Sequence, residues 1–167
     1  QAVPEMTSQM ARMVLPARGS VGRKLELQAD TLAAKLAEKL LSDYRMLHLP
    51  DNLSAHVLEE MKQDPEVAET IEEMKQADIL LLGVGNALEM AERRRLDAGI
   101  CGQLQRDGAV AEACGYYFDA KGNIVYETCS IGIDFNEIQN AECVIVMAGG
   151  RRKAESLMAV SHSISSG

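Results

Sequence analysis

The sequence predicts an α/β protein with a Rossmann-like, doubly wound and mostly parallel sheet that carries one antiparallel hairpin. Short apolar segments alternate along the chain with segments of helical periodicity. Two of the apolar segments, 79–82 and 143–147, contain no charged residue, which is typical of strands buried on both faces of a parallel sheet. A glycine-containing turn at 119–123 separates two aromatic segments and predicts the hairpin.

Composition predicts a single globular domain over residues 1–167. Hydrophobic residues make up 47% and charged residues 25% of the 167 residues, which is enough to build a core. The formal net charge of −8 argues against nucleic-acid binding by this segment itself. No signal peptide or membrane-spanning stretch is evident, so no membrane partner is expected.

Cysteine usage predicts a reducing, cytoplasmic location. The four cysteines are scattered, without a Cys-x-x-Cys pair or a histidine at ligand spacing. A zinc site or a disulfide framework is therefore disfavoured, and neither a metal ion nor a cofactor is expected. Each cysteine is interpreted as a small, partly buried hydrophobic residue.

The first half of the chain predicts two strands and three helices. Ser54 and Asp64 are suitable N-caps, and Pro65 follows Asp64 at the first helical position. The predicted elements are strands at 11–15 and 44–49, the second ended by a loop at 50–51, and helices at 25–41, 54–61 and from 64.

The second half predicts four further strands. Gly122 is available for the positive-φ position of the hairpin, and Asp134 is a suitable N-cap for a short helix. The predicted strands are 79–82, 116–118, 124–126 and 143–147, and helices are predicted after 86, after 134 and near 150.

Two strand–glycine–cation units indicate a site for an anion. Residues 78–95 (DILLLGVGNALEMAERRR) predict a strand, a loop at 83–86 and a helix with three arginines on its face. Glycines such as Gly85 let the backbone approach a ligand, and the helix N-terminus supplies a positive dipole. A second unit, at 142–155 (ECVIVMAGGRRKAE), has the same design. Two such units in an acidic chain predict a phosphorylated small-molecule ligand.

Cations in or just after these loops are the candidate phosphate ligands. Arg18 lies in a tight loop at 16–19, and either Arg93 or Arg94 could bind phosphate through two parallel hydrogen bonds. Lys153 adds a point charge in the first turn of a helix. The alternative is that the glycines only turn the chain and the arginines form a solvated helix face.

Glu112 is a lone carboxylate in a run of small and apolar residues at 108–115. Such a group is either buried with a partner or directed into a cavity. Near phosphate-binding arginines it could accept hydrogen bonds from sugar hydroxyls. The alternative interpretation is a structural partner for an arginine.

Taken in order, the motifs resemble those of the SorC/DeoR-type bacterial transcriptional regulators, and the resemblance spans residues 16 to 159. The matching runs are 16–19 (PARG), 28–31 (QADT), 83–87 (GVGNA), 90–94 (MAERR), 108–118 (GAVAEACGYYF) and 148–154 (AGGRRKA).

The resemblance implies an effector-binding domain, with a fold similar to sugar-phosphate isomerases and a helix-turn-helix DNA-binding module outside this chain. It implies a phosphorylated sugar ligand such as fructose 1,6-bisphosphate, and a homo-oligomer whose assembly and operator affinity the ligand controls. The positions that match the family's ligand contacts are Arg18, Arg93, Glu112 and Lys153. The family's threonine-bearing phosphate loop falls upstream of Gln1.

Three other functions are open at this stage. A sugar-phosphate isomerase or deaminase would use the same fold, with Glu112 as the one good candidate for a base. A dinucleotide-binding domain has only the Gly-Val-Gly run in its favour, because the full GxGxxG pattern is absent. A pure oligomerisation module is compatible with the apolar helices. The sensor, which is not an enzyme, is the preferred prediction.

Overall fold

The computed structural model describes residues 4–20, 28–49 and 53–165. The chain forms two compact units. The first contains the residues up to 76 together with 129–133, and the second contains 77–128 and the residues from 134 onward.

The first unit contains two short parallel strands and three helices. Strands β1 (Met13–Val14) and β2 (Asp43–Tyr44) pair with each other. Helix α1 spans Ala29–Leu40, and α2 (Ala55–Met61) and α3 (Pro65–Lys75) follow. The first predicted strand and the three predicted helices are confirmed, although residues 25–27 and the predicted loop at 50–51 lie outside the described residues.

The prediction of a strand over 44–49 is wrong beyond Tyr44. Leu47 donates its backbone N–H to Asp30 Oδ1 at 2.9 Å rather than to a neighbouring strand, and His48 has a positive φ of 51°. Leu47 is instead buried with Met74 and Ile131 in the core of this unit. The apolar character of this segment therefore reflects burial in a core, not a place in a sheet.

Helix caps in this unit follow local sequence. Ser54 Oγ accepts the N–H of Val57, and Asp64 Oδ1 accepts the N–H groups of Glu66 and Val67. The buried face of α3 packs on the core of the unit, as its apolar spacing predicts.

The second unit is built on a five-stranded mixed sheet. Its strand order is β6-β5-β4-β3-β7, in which β3 and β7 are parallel and the other three pairings are antiparallel. The strands are β3 (Ile79–Asn86), β4 (Ala109–Ala113), β5 (Tyr116–Asp119), β6 (Ile124–Glu127) and β7 (Cys143–Met147).

The α/β class is confirmed, but the antiparallel part extends beyond the predicted hairpin. The hairpin of β5 and β6 is present, with Gly122 at φ 89°. Strand β4, which was not predicted, joins this hairpin to β3. The doubly wound arrangement and the likeness to isomerases stay predictions.

The predicted loop at 83–86 is the second half of a strand. Val84, Gly85 and Asn86 pair with Ala113, Glu112 and Ala111 of β4, so β3 continues to Asn86. Only this long-range pairing with β4 distinguishes the segment from a glycine-containing loop.

Helices pack on both faces of this sheet. Helices α4 (Ala87–Arg94) and α5 (Ala98–Arg106) share a core cluster with Tyr117. The ring of Phe135, in α6 (Phe135–Asn140), contacts the rings of Tyr116 and Phe118 in tilted geometry, and these two residues are neighbours of Tyr117 in β5. Because neighbouring strand residues point to opposite faces, α6 lies on the other side of the sheet from α4. Helix α7 (Ala154–Ser165) follows a short 3-10 helix (Arg151–Lys153) and packs on β3, β4 and β5.

The prediction that 79–82 and 143–147 are buried on both faces is wrong for this structure. Leu80 and Leu82 are buried, whereas Ile79 and Leu81 are 62% and 42% exposed. Ile145 in β7, paired with Leu81, is also exposed. Segment 79–82 therefore alternates between a covered and an uncovered face, despite its continuous apolar sequence.

Candidate ligand site at the end of strand β3

Three of the five predicted site residues lie close together in the second unit. Gly85 and Glu112 are directly opposite each other in the β3–β4 pairing. Lys153 reaches the same strand end, because its Nζ donates a hydrogen bond to the carbonyl oxygen of Val84 at 2.8 Å. The carboxyl end of β3 is therefore the candidate site.

Gly85 is required by close packing. A Cβ added at Gly85 would lie 2.3 Å from Met90 Cγ and 3.7 Å from Glu112 Oε2. The first of these distances is far below van der Waals contact, so any larger residue would force the Met90 side chain to move. Gly83, by contrast, has nothing within 4 Å of its Cβ position. The two glycines of the Gly-Val-Gly run therefore have different roles.

Glu112 is buried and bonded to the protein. Its Oε1 accepts a hydrogen bond from Arg94 Nη2 at 2.7 Å and another from the Gly115 backbone N–H at 2.6 Å. The Arg94 and Glu112 side chains are only 3% and 4% exposed. The structural alternative for Glu112, a pairing with an arginine, is therefore realised. Recognition of a sugar hydroxyl by Glu112 stays a prediction.

The prediction that Arg93, Arg94 and Arg95 lie on one face of the helix after β3 is wrong. Arg94 is buried against Glu112, whereas Arg93 and Arg95 are exposed. Successive helical residues are rotated by about 100° around the axis, so three consecutive residues cannot point the same way. Arg95 also ends the helix in a left-handed conformation, at φ 57°. Arg93 is the exposed cation within α4.

The N-terminus of α4 is already capped. Asn86 Oδ1 accepts the backbone N–H groups of Leu88 and Glu89 at 3.1 and 3.2 Å. These two donors are therefore used within the protein. The dipole of α4 therefore does not by itself define an anion site here.

Lys153 lies in the short 3-10 helix that precedes α7 rather than in the α-helix itself. The preceding Gly150 has φ 92°, a conformation that favours glycine. An ammonium group has three donors. The bond to Val84 uses one of them, so Lys153 can still donate to an anion at the end of β3. Arg151 and Arg152 are exposed.

Arg18 belongs to the first unit. Its backbone forms an isolated antiparallel bridge with Gly132, and its Nη2 donates to the Ser130 hydroxyl. A Cβ at Gly132 would lie 2.4 Å from Arg18 Cβ, so this glycine permits the close approach of the two segments. The loop at 16–19 is thus held against residues 130–132.

Sequence reasoning missed the buried positions of Arg94 and Tyr117. Ala91 follows Ala87 by four residues, and Arg94 follows Ala91 by three. This helical spacing places all three residues on the buried face of α4. Tyr117 lies opposite Glu112 in the β4–β5 pairing. Burial raises the pKa of the Tyr117 hydroxyl, and the negative charge of Glu112 raises it further. The helical spacing could have revealed Arg94, but only strand pairing reveals Tyr117.

Two classes of site find no support in the described part of the chain. Among residues 4–20, 28–49 and 53–165, no group of histidine, cysteine, aspartate and glutamate side chains could hold a metal ion. No helix in those ranges has the length and apolar character needed to cross a membrane.

Comparison with known proteins identifies the family. A model named Sugar-bind, described as a putative sugar-binding domain, matches residues 1–163, and the chain belongs to this family. A structure described as that of a putative SorC family transcriptional regulator from Enterococcus faecalis is 31% identical, with a TM-score of 0.86. The match covers 95% of this chain and 65% of that one.

Two curated relatives carry the name Central glycolytic genes regulator. The protein from Priestia megaterium (strain DSM 319 / IMG 1521) is 37% identical over 147 residues, covering 88% of this chain and 43% of the relative. The protein from Bacillus subtilis (strain 168) is 35% identical over 163 residues, covering 95% and 48%. The chain thus spans less than half the length of these relatives. The resemblance to SorC/DeoR-type regulators is confirmed.

Proposed function

We propose that this chain is the ligand-sensing domain of a bacterial transcriptional regulator of carbohydrate genes, and that its ligand is a phosphorylated sugar. Membership of the Sugar-bind family and similarity to regulators of glycolytic genes support this function. The structural observation that carries it is the group at the end of β3. There the Lys153 ammonium group is bonded beside Gly85, which pairs with the buried carboxylate of Glu112.

The chemistry of this group suits a sugar phosphate. Lys153 supplies positive charge for a phosphate, and Arg93 is an exposed guanidinium on the helix that follows β3. Glu112 supplies an acceptor for a sugar hydroxyl. Arg18 is a further cationic candidate, located in the first unit and testable by itself. Fructose 1,6-bisphosphate is the specific ligand that we propose.

Regulation would follow from a difference in ligand affinity between two states of the whole regulator. We propose that ligand binding changes oligomer assembly, and through it the affinity for operator DNA. DNA contact is assigned to a module outside these 167 residues, because their net charge of −8 is unsuited to a DNA-binding surface. We also propose that the sheet has a Rossmann-like arrangement similar to that of sugar-phosphate isomerases.

Calorimetric titration of the chain with sugar phosphates tests the ligand. Fructose 1,6-bisphosphate, fructose 6-phosphate, inorganic phosphate and AMP form a suitable panel. At a ligand concentration about 100-fold above the Kd that the titration gives, the free energy of unfolding should be about 2.7 kcal/mol higher than without ligand. Selective binding of a phosphorylated sugar supports the proposal. The absence of binding by every sugar phosphate in the panel would contradict it.

Substitutions at one short helix test the site. Lys153→Met should weaken sugar-phosphate binding by about tenfold or more, because a charged hydrogen bond contributes roughly 1.5–3 kcal/mol. Arg152→Met removes an exposed cation one residue away and is the matched control. Equal losses for the two variants would indicate a nonspecific charge effect, and the proposed role of Lys153 would be wrong.

The enzyme alternative is tested by turnover. NMR of fructose 6-phosphate or glucosamine 6-phosphate incubated with the chain should show no conversion beyond the uncatalysed rate. The two curated relatives and the Enterococcus faecalis structure are named as regulators, which favours a sensor over an isomerase or deaminase.

A further inference from the structure

Strand β7 is an edge strand of the five-stranded sheet, and its outer side is open. Its one neighbour in the sheet is β3, and no other strand of the described residues pairs with it. Cys143 donates its backbone N–H to the carbonyl oxygen of Asp78, which precedes β3. Because the backbone groups of successive strand residues point to opposite sides, Val144 and Val146 direct their N–H and C=O groups to the open side. These groups are placed to pair with a further strand.

The open edge lacks the features that usually keep exposed strands apart. Strand β7 (CVIVM) contains no charge and no proline, and its pairing with β3 runs over five residues without a bulge. Ile145 and Met147 are 44% and 49% exposed, and Cys143 is exposed as well. Edge strands normally carry charges, prolines or bulges that prevent pairing with another chain. An edge without them is a surface to which a strand can be added.

The charges at the two ends of β7 favour a second copy of this chain as the added strand. Asp78 and Glu142, which are exposed, lie just before β3 and β7, whereas Arg151 and Arg152, also exposed, follow the carboxyl end of β7. Two copies in antiparallel arrangement bring the acidic end of one strand to the basic end of the other. The strand between those ends is uncharged, so two chains of net charge −8 can meet there without like charges facing each other.

We propose that two copies of this chain pair antiparallel along β7, with Ile145 of each copy at the two-fold axis. This register aligns all five residues of both strands. Val144 then faces Val146 of the second copy and exchanges two backbone hydrogen bonds with it. Cys143 lies opposite Met147 of the second copy, in a pair without backbone bonds. Every facing pair is apolar, and the two five-stranded sheets join into one.

This inference goes beyond the proposed function, because the pairing of two copies requires no ligand. The interface nevertheless lies next to the candidate ligand site. Met147, at the carboxyl end of β7, is paired with Gly83 of β3. The next residue, Val84, accepts the hydrogen bond from Lys153. One end of the proposed interface therefore adjoins the group at the end of β3.

Sedimentation velocity of the unliganded chain over a range of concentrations tests the pairing. The wild-type chain should pass from monomer to dimer as its concentration rises. Ile145→Lys places two ammonium groups opposite each other at the axis and should raise the dimer Kd at least about tenfold. Ile124→Lys is the matched control, because Ile124 is 41% exposed on β6, the opposite edge strand, and it should leave the Kd unchanged. Equal losses in the two variants, or an unchanged dimer of Ile145→Lys, would overturn the inference.

Disulfide trapping tests the orientation and the register. Met147→Cys places a thiol opposite Cys143 of the second copy, within the Cα separation of about 4.4–6.8 Å that a disulfide needs. Mild oxidation should therefore convert this variant into a covalent dimer on a non-reducing gel. The wild-type chain should not be trapped in this way, because its two Cys143 residues lie roughly 13 Å apart along the paired strands.

The matched control for trapping is Leu81→Cys. Leu81 is 42% exposed on the same face of the sheet, but it lies on β3, one strand away from the interface. Its thiol is too far from the second copy to form a disulfide, so oxidation should leave this variant monomeric on the gel. Equal trapping of Leu81→Cys and Met147→Cys would overturn the inference, and so would a dimeric Met147→Cys that forms no disulfide.

The inference and the proposed function fail in different ways. A wild-type chain that stays monomeric at millimolar concentration overturns the pairing and leaves β7 to another polypeptide, whether or not the chain binds fructose 1,6-bisphosphate. A dimer that binds no sugar phosphate overturns only the proposed ligand. Circular dichroism and urea unfolding of Ile145→Lys and Ile124→Lys establish that both variants are folded before their association is compared.

Discussion

Arg94 on helix α4 and Glu112 on strand β4 form a buried ion pair, with 2.7 Å between Nη2 and Oε1. The two residues are 18 positions apart in the chain, with helix α5 between them. Because one lies on α4 and the other on β4, the ion pair ties α4 to the sheet. Because a charge buried without its partner is strongly unfavourable, this contact is among the most sensitive in the second unit.

Removal of one partner should therefore destabilise the fold more than removal of both charges. Arg94→Met is expected to lower the free energy of unfolding by roughly 3–5 kcal/mol, because it leaves the Glu112 carboxylate unpaired. The double variant Arg94→Met/Glu112→Gln removes both charges and keeps an acceptor for the Gly115 N–H, so it should regain most of that loss. Urea unfolding measures both. A double variant as unstable as Arg94→Met would argue against the electrostatic explanation.

Alternation in β3 predicts a large loss of stability at one leucine and a small change at its neighbour. Leu82 is buried, so Leu82→Ala should cost roughly 2–5 kcal/mol through lost apolar contact and the resulting cavity. Leu81 is 42% exposed on the other face, and Leu81→Ala should change stability by less than about 1 kcal/mol. Urea midpoints of the two variants give the comparison. Equal losses would mean that the uncovered face of β3 is buried in solution.

Local signals were sufficient to predict several elements. Asp134 accepts the Glu137 N–H while Glu137 accepts the Asp134 N–H, a capping box that depends on residues three positions apart. Asp64 and Pro65 begin α3 for equally local reasons. Such features need no knowledge of the rest of the fold, which is why sequence reasoning placed them correctly.

Elements that depend on distant partners were missed. Strand β4 (Ala109–Ala113) consists of small residues and one glutamate, without a strand-like pattern, and it forms because β3 and β5 pair with it. The same pairing turns the expected loop at 83–86 into strand. The identity of the arginine that meets Glu112 likewise depended on the rotation of α4 over the sheet. The sequence thus suggests residues for the candidate site, whereas the partners of those residues depend on the fold.

The end of α1 offers a stabilising substitution. Leu41 adopts a left-handed conformation, with φ 53° and ψ 41°, and its side chain is half exposed. Because glycine has no Cβ to clash in this conformation, Leu41→Gly should raise the free energy of unfolding by roughly 0.5–1 kcal/mol.

The matched control for this substitution lies within the same helix. Leu32 is equally exposed but helical, so Leu32→Gly should lower stability by about 1 kcal/mol. Opposite shifts of the urea midpoint for the two variants would confirm the explanation. A loss of stability in both would show that the Leu41 side chain makes a contact that outweighs its backbone strain.

Tyr117 should limit stability, most strongly at alkaline pH. Its hydroxyl is buried, and no hydrogen-bond partner for it is found within the described ranges of the chain. Tyr117→Phe removes this unsatisfied group and should stabilise the fold by about 1 kcal/mol at pH 7. Tyr44→Phe, at an exposed tyrosine, is the control and should change stability by less than about 0.5 kcal/mol.

The raised pKa of Tyr117 also predicts how the stability difference between Tyr117→Phe and the wild-type chain depends on pH. Burial and the charge of Glu112 keep this hydroxyl protonated in the folded state, whereas in the unfolded chain it ionises near pH 10. Ionisation of Tyr117 therefore leaves the free energy of unfolding of the wild-type chain unchanged below about pH 10. It lowers that free energy as the pH rises from 10 toward the folded-state pKa. Urea unfolding from pH 8 to 11 should show the stability advantage of Tyr117→Phe growing above pH 10. A constant difference across that range would mean that Tyr117 ionises as readily in the folded protein as in the unfolded chain, and that its hydroxyl is solvated.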